Sequence, residues 1–412
     1  MRFVALAAGN RLASRLMPAL GLVALVAVPV RDAAGSPASR RATADAFRDA
    51  YNLQFAACYA RLDEALRLDP ADPAPPRAIA AITWMEILFA QGAATFEAFT
   101  GQASGDDIAR PAPPPVLTAR FANNVARAVR LAEARLASTR DADAYYQVGA
   151  SAALAALYKA TVEGRTMGAL RDGRRAVDAM EKSRALDPSR RDTGLVLGMS
   201  RYTVSTMPRL TRTLAGWLGL PGNREKAFAL MEDAASAGAP TEDDALLVLM
   251  VVYNREGRYA EARDRLSRLQ SRFPGNRLLW LNAVATAIEA RDFAAAERDL
   301  VEGAAKRDGV TSPAITGEHG LLLLKSGTVH AASGRNADAR ADLAKGLTVG
   351  PRDWVRGRIH FQLARLAAAA KDAVEARTHL ALALAFAKRS GDVSAANAAD
   401  DLLEKIPGAR PK

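Results

Sequence analysis

The sequence predicts an all-α protein, a right-handed superhelical solenoid of antiparallel helix pairs. Three observations carry that expectation. A pattern of small and bulky residues returns at a spacing near 34 residues through the C-terminal half. The apolar share is 50% while aromatics are only 6%, with alanine dominant, which suits close-packed helices better than a sheet sandwich. Proline recurs where a period ends, and a second helix must stop there because proline cannot donate the next backbone hydrogen bond. Disorder, a fibre and a disulfide scaffold are excluded by composition. Length alone, 412 residues, would suggest two or three globular domains at roughly 150 residues each; the repeats imply one elongated modular body instead.

The first region, residues 1–35, reads as an address. Arg2, Arg11 and Arg15 precede an uncharged run of 15 residues from Leu16 to Val30, followed by Ala33, Ala34, Gly35 and Ser36. Positive, apolar, then small is the order of a secretory signal peptide. Cleavage would leave an exported bacterial chain, periplasmic or secreted. A membrane span wants about 20 apolar residues, so retention as an anchor is the alternative. No cysteine stands near the end of the run, which argues against a lipoprotein linkage. Cys58 is the only cysteine, so the exported chain would carry no internal disulfide. No second long apolar stretch follows, and the remainder is expected to be soluble.

Residues 36–140 read as an irregular helical region with Pro-rich loops at Asp69–Arg77 and Thr100–Pro115. Residues 141–240 read as degenerate helix pairs with an insert at 203–222. Asp143–Gly164 and Arg165–Leu186 make one long pair stopping at Asp187-Pro188, and Leu197-Gly198, Ala227, Met231 and Ala234 fit the next. Residues 241–390 form the regular array. Its anchor alanines 262, 296, 339 and 376 are 34, 43 and 37 apart, a 34-residue unit with loops lengthened by nine and by three. Residues 391–412 supply a capping helix and tail. Small residues let the second helix approach the first closely, and the bulky residue four positions on fills the groove beside it. One pair cannot bury its apolar face alone, so pairs stack.

This spacing resembles the tetratricopeptide repeat (TPR), most closely over residues 243–276 and 277–310, with 320–353 and 357–390 following the pattern less closely. A narrower resemblance lies in the run from Gly198 through Met207-Pro208 to Gly219-Leu220-Pro221-Gly222-Asn223-Arg224-Glu225. It is similar to the core of the TPR family that includes the tetratricopeptide 39 type and a fungal protein of lipid droplets and inclusion clearance. That resemblance implies a non-enzymatic helical scaffold; those relatives are intracellular, whereas this chain carries an export signal. Local physics also explains the turn, since Gly222 permits the bend, Asn223 can cap the next helix and Glu225 favours its first turn. Exported TPR components of bacterial substrate-binding transport systems are similar in address and helical content.

The net charge of +11 falls to +8 once residues 1–35 are removed. Arginine supplies 46 of the 56 cations and alternates with Asp and Glu along most helices, the pattern of a solvated, ion-paired surface. No basic stripe with interleaved aromatics occurs, so no nucleic-acid partner is expected.

No catalytic constellation is visible. His319, His330, His360 and His379 include no pair at helical i, i+4 spacing, and His330 takes the aromatic position of a repeat. Gly198-Met199-Ser200-Arg201-Tyr202 lacks the second glycine of a nucleophile elbow. Glu242, Asp243 and Asp244 sit at a helix start, where the dipole explains them. An enzyme, a metal and a cofactor are therefore not expected.

The expected working surface is the concave inner face, built by first helices at repeat positions 2, 5, 9, 12 and 13. These are Asp244, Leu247, Val251, Asn254 and Arg255; Leu278, Leu281, Ala285, Ile288 and Glu289; Leu321, Leu324 and Thr328; and Arg358, Phe361 and Arg365. Leu247 and Val251 stand where chaperone-binding TPR proteins place Lys and Asn, so a carboxylate clamp is not supported. The apolar lining suits a protein partner, a peptide or helix, with an apolar small molecule or lipid as the alternative cargo. Leu281→Glu with Leu324→Glu is expected to weaken partner capture without unfolding, unless a capping helix or the N-terminal half covers the groove. In the insert, Met207, Leu210, Leu214, Trp217 and Leu218 share one helical face with Arg209 and Arg212 opposite. Peripheral membrane contact is one reading. Because the insert joins two helices of one unit, packing inside the solenoid is the expectation.

Overall fold

The computed structural model describes residues 35–93, 95–97, 111–236, 238, 241–307 and 315–406. The region expected to be a signal peptide therefore lies outside the described residues save for Gly35, as does most of the second Pro-rich loop. Eighteen helices and no strands occur among the described residues. The described residues divide into two compact units, each drawn from separate stretches of sequence: those within 35–88, 113–252 and 265–276 in the first, and those within 89–112, 253–264 and 277–406 in the second.

In the first unit, α1 (Pro37–Tyr51) pairs with α2 (Phe55–Leu68). Ser36 caps α1, its hydroxyl accepting from the Ser39 N–H at 3.2 Å. Cys58, Leu62 and Ala65 form the buried stripe of α2. The next helix, α3 (Ala74–Ala90), is apolar on every side and buried on nearly every side, as a helix enclosed by others must be. It is followed by α4 (Pro115–Thr139), α5 (Ala142–Thr161) and α6 (Thr166–Leu186). Arg77 of α3 donates to Gln147 Oε1 at 2.8 Å, and the Trp84 indole donates to Thr161 Oγ1 at 2.9 Å. The inner side of α5 thus faces α3 while its other side packs on α6.

The remaining pairs follow the small-residue rule. α7 (Thr193–Thr206) meets α9 (Arg224–Ala234) where Gly198 faces Met231; a Cβ there would stand 2.6 Å from Met231 Cγ and 2.8 Å from the Ala227 carbonyl oxygen. The 203–222 insert carries α8 (Arg209–Trp217) between them. Asn223 caps α9 through the Lys226 N–H at 2.8 Å, as the sequence implies. α10 (Glu242–Arg255) and α11 (Tyr259–Arg272) contribute residues to both units.

The second unit continues with α12 (Arg277–Glu289) and α13 (Phe293–Arg307), α14 (Glu318–Ala332) and α15 (Asn336–Thr348), and α16 (Asp353–Ala369) and α17 (Ala373–Ser390), closed by α18 (Val393–Lys405). Val284, Ala287, Ala295 and Ala296 form the core of the first pair, and Gly327 lies against Leu343 in the second. Ala364, Ala376, Leu380 and Ala383 fill the third, and Ala399 and Ile406 of the last helix join that cluster. Helices α2, α6 and α11 end two residues before Pro70, Pro188 and Pro274, and α15 three before Pro351, because the residue preceding proline is driven out of the helical region.

Candidate functional site

The inner-face residues are mostly enclosed. Val251, Asn254, Leu281, Ala285 and Leu324 are buried, Leu247, Arg255, Ile288 and Phe361 are half-buried, and Arg365 is exposed. Charges at Leu281 and Leu324 would enter packed core, so the expectation that Leu281→Glu and Leu324→Glu leave the fold intact does not hold.

Part of the enclosure comes from the chain itself. In the second unit, Ala90–Gly92 and Phe96–Glu97 lie against the first helices of three successive pairs or the residue that leads into them. Asn282 Oδ1 on α12 accepts from the Phe96 backbone N–H at 2.8 Å. Lys325 Nζ on α14 donates to Glu97 at 2.6 Å, with both side chains buried. Arg352, the residue preceding α16, donates to the Ala90 carbonyl at 2.7 Å and to the Gln91 carbonyl. Gly92, at φ +83°, makes this passage possible; a Cβ there would fall 2.4 Å from the Arg352 guanidinium carbon. Burial pushes the Glu97 carboxyl upward, but Lys325 and Arg358 outweigh it and hold it below its usual value. Glu289 is pushed up by burial and by Glu97. The residues that grip the segment, Asn282, Lys325 and Arg352, were not among the expected positions. A signal was present, since Asn282 and Lys325 are the first polar residues after the apolar runs Leu278–Leu281 and Leu321–Leu324.

The titratable groups singled out in the sequence have structural partners. Glu242 accepts from Arg268 at 2.7 Å and Arg272 at 2.5 Å, Asp243 pairs with Arg272, and Asp244 accepts from the Tyr51 hydroxyl. His360 and His379 face each other with Nδ1 atoms 3.1 Å apart, and His360 stacks on Phe386. His330 lies 3.0 Å from Asp342. His319 is exposed. Among the described residues no group of three metal-ligating side chains occurs.

A second candidate lies wholly in the first unit. A small apolar pocket of about 80 Å³ sits among α5, α6 and α7, lined by Leu157, Leu170, Val177, Met199, Val204 and, from the insert, Met207 and Leu220. Small residues leave it open, notably Gly173, whose absent Cβ would meet no atom within 4 Å.

The insert departs from its expected place. α8 buries only Thr211 and Ala215, whereas Leu210, Leu214, Trp217 and Leu218 are exposed. Small residues on the buried stripe suit the close approach, and the bulky stripe is turned to the outside. Arg174 donates to the Leu218 carbonyl at 2.9 Å, tying the end of α8 to α6.

No family model matches the chain, and no curated protein is similar enough to count as a match. Among solved structures, it is similar to the crystal structure of the APC/C hetero-tetramer Cut9–Hcn1, at 15% identity and a TM-score of 0.50. The match covers 90% of this chain and 56% of that one, so this chain spans little more than half its length. The fold is of the TPR type. Weaker likenesses are to yeast Tom70, at 14% identity, TM-score 0.38, covering 89% of this chain and 82% of that one, and to a tetratricopeptide repeat protein from Parabacteroides merdae ATCC 43184, at 12% identity, TM-score 0.29, covering 79% and 99%. Among the described residues of the TPR-type stack, no helix is long and apolar enough to cross a membrane.

Proposed function

We propose that the protein is an exported, non-enzymatic TPR-type scaffold that binds an extended segment of a protein partner on the inner helices of its second unit. The observation that carries this reading is the grip on residues 89–97. Asn282 and Arg352 hold backbone groups, and Lys325 holds one carboxylate, which is how a helical groove retains an extended peptide. The row of first helices continues past the occupied part to Phe361 and the exposed Arg365, where a partner segment would extend it. Export follows from the signal-like residues 1–35, and Ser36, which caps the first helix, stands directly after them. The resemblance of the 198–227 run to the tetratricopeptide 39 type belongs to the same scaffold reading.

The test is site-specific photo-crosslinking in the producing cell. Benzoylphenylalanine at Arg365 should give a discrete protein adduct, and the same probe at Val374, exposed on the second helix of that pair, should not. Adducts at neither site, or equally at both, overturn the inner-face assignment.

A further inference from the structure

We propose that the insert around α8 is a docking surface for an anionic lipid bilayer. Leu210, Leu214, Trp217 and Leu218 recur at i, i+4, i+7 and i+8 and so form one stripe along the helix. Their side chains are 73%, 40%, 81% and 40% exposed. Trp217 stands apart from the other three tryptophans, Trp84, Trp280 and Trp354, all of which are buried. The opposing stripe, Thr211 and Ala215, together with the buried Met207 and Leu220 at either end, anchors the insert to the first unit and holds the Leu/Trp stripe outward.

Charge selects the occupant. Helix α8 and its flanks from Met207 to Leu220 carry two arginines, Arg209 and Arg212, and no Asp or Glu. Arg209 and Arg212 are exposed on α8 itself, and Arg209 pairs with no carboxylate among the described residues. A second copy of this chain seated symmetrically on the stripe would bring the same arginines against one another, which like charge opposes. An anionic bilayer matches both components. Leucine and tryptophan enter the boundary between headgroups and acyl chains, and arginine reaches back to the phosphates.

The full chain, with its natural amino terminus, is mixed with vesicles of phosphatidylcholine alone or with phosphatidylglycerol added. Tryptophan emission, to which Trp217 is the exposed contributor, should shift to the blue and be quenched by brominated acyl chains on the anionic vesicles. Residues 1–34 contain no tryptophan, so that emission does not report the apolar amino-terminal run. Leu210→Glu with Leu214→Glu should abolish the shift while circular dichroism and the thermal midpoint stay at wild type, since both side chains are exposed. Arg209→Ala should weaken anionic-vesicle binding about fivefold and leave phosphatidylcholine alone unaffected. Three outcomes overturn the proposal: wild-type emission that vesicles do not move, a double variant that shifts as wild type does, or a wild-type dimer in sedimentation velocity that the double variant dissociates, which would make the stripe a contact between copies.

Discussion

The side-chain oxygen of Asn282 accepts a hydrogen bond from the backbone N–H of Phe96 at 2.8 Å, and both residues are buried. The same side chain donates to the Leu278 carbonyl at 2.7 Å. Truncation leaves a buried N–H without a partner, the costly half of a hydrogen bond. Asn282→Ala should lower unfolding free energy by about 1–3 kcal/mol in urea titration; an unchanged midpoint would show that water replaces the bond.

The Glu97–Lys325 pair makes a stronger claim. Lys325→Met strands a buried carboxylate and should cost about 3–5 kcal/mol, whereas Lys325→Met with Glu97→Leu removes both charges and should recover most of it. The pair also sets an acid limit. A carboxyl held below its usual value stabilises the fold above the unfolded value and loses that contribution as pH falls through the folded one. Urea titrations of the wild type should weaken as pH drops below about 4.5, and the apolar double variant should lack that component.

His360 acts in a higher window. Burial, then His379 and Arg356, lowers its imidazole from 6.5 to about 4. Above pH 6.5 it is neutral in both folded and unfolded chains. Between 6.5 and about 4 only the unfolded chain takes up the proton, so stability falls through that range. His360→Phe, beside Phe386, should flatten the thermal midpoint across this window; an identical slope would assign the effect to other groups.

Two glycines should behave oppositely. Gly198→Ala drives a methyl into Met231 and the Ala227 carbonyl and should destabilise by about 1–3 kcal/mol. Gly173→Ala, in helix α6 with no atom within reach of its Cβ, should stabilise by about 0.5–1 kcal/mol. Thermal melts of the two variants decide both.

Much of this was legible because helix pairing is local. Gly198 and Gly327 announce close crossings within a few tens of residues, and Asn223 announces its own helix start. The segment at 89–97 was not legible, because its partners are distant in sequence and only the isolated polarity of Asn282 and Lys325 hints at them. For α8 the amphipathic pattern was plain but its outcome was not. Periodicity shows that a stripe is apolar; it does not show that another element will cover it, and here the small pair Thr211 and Ala215 is what packs.

The passage of residues 89–97 along the second unit also bears on how the protein acquires its structure. A repeat array folds from neighbour contacts and can nucleate at any pair. Here Phe96, Glu97 and Gln91 meet partners 186, 228 and 261 residues further on. Closing loops of that length is slow, and it cannot be completed until Arg352 has been synthesised. On the ribosome, Gln91, Phe96 and Glu97 must therefore wait without their partners until α12, α14 and Arg352 have been made, a stage at which a chaperone would find that stretch open.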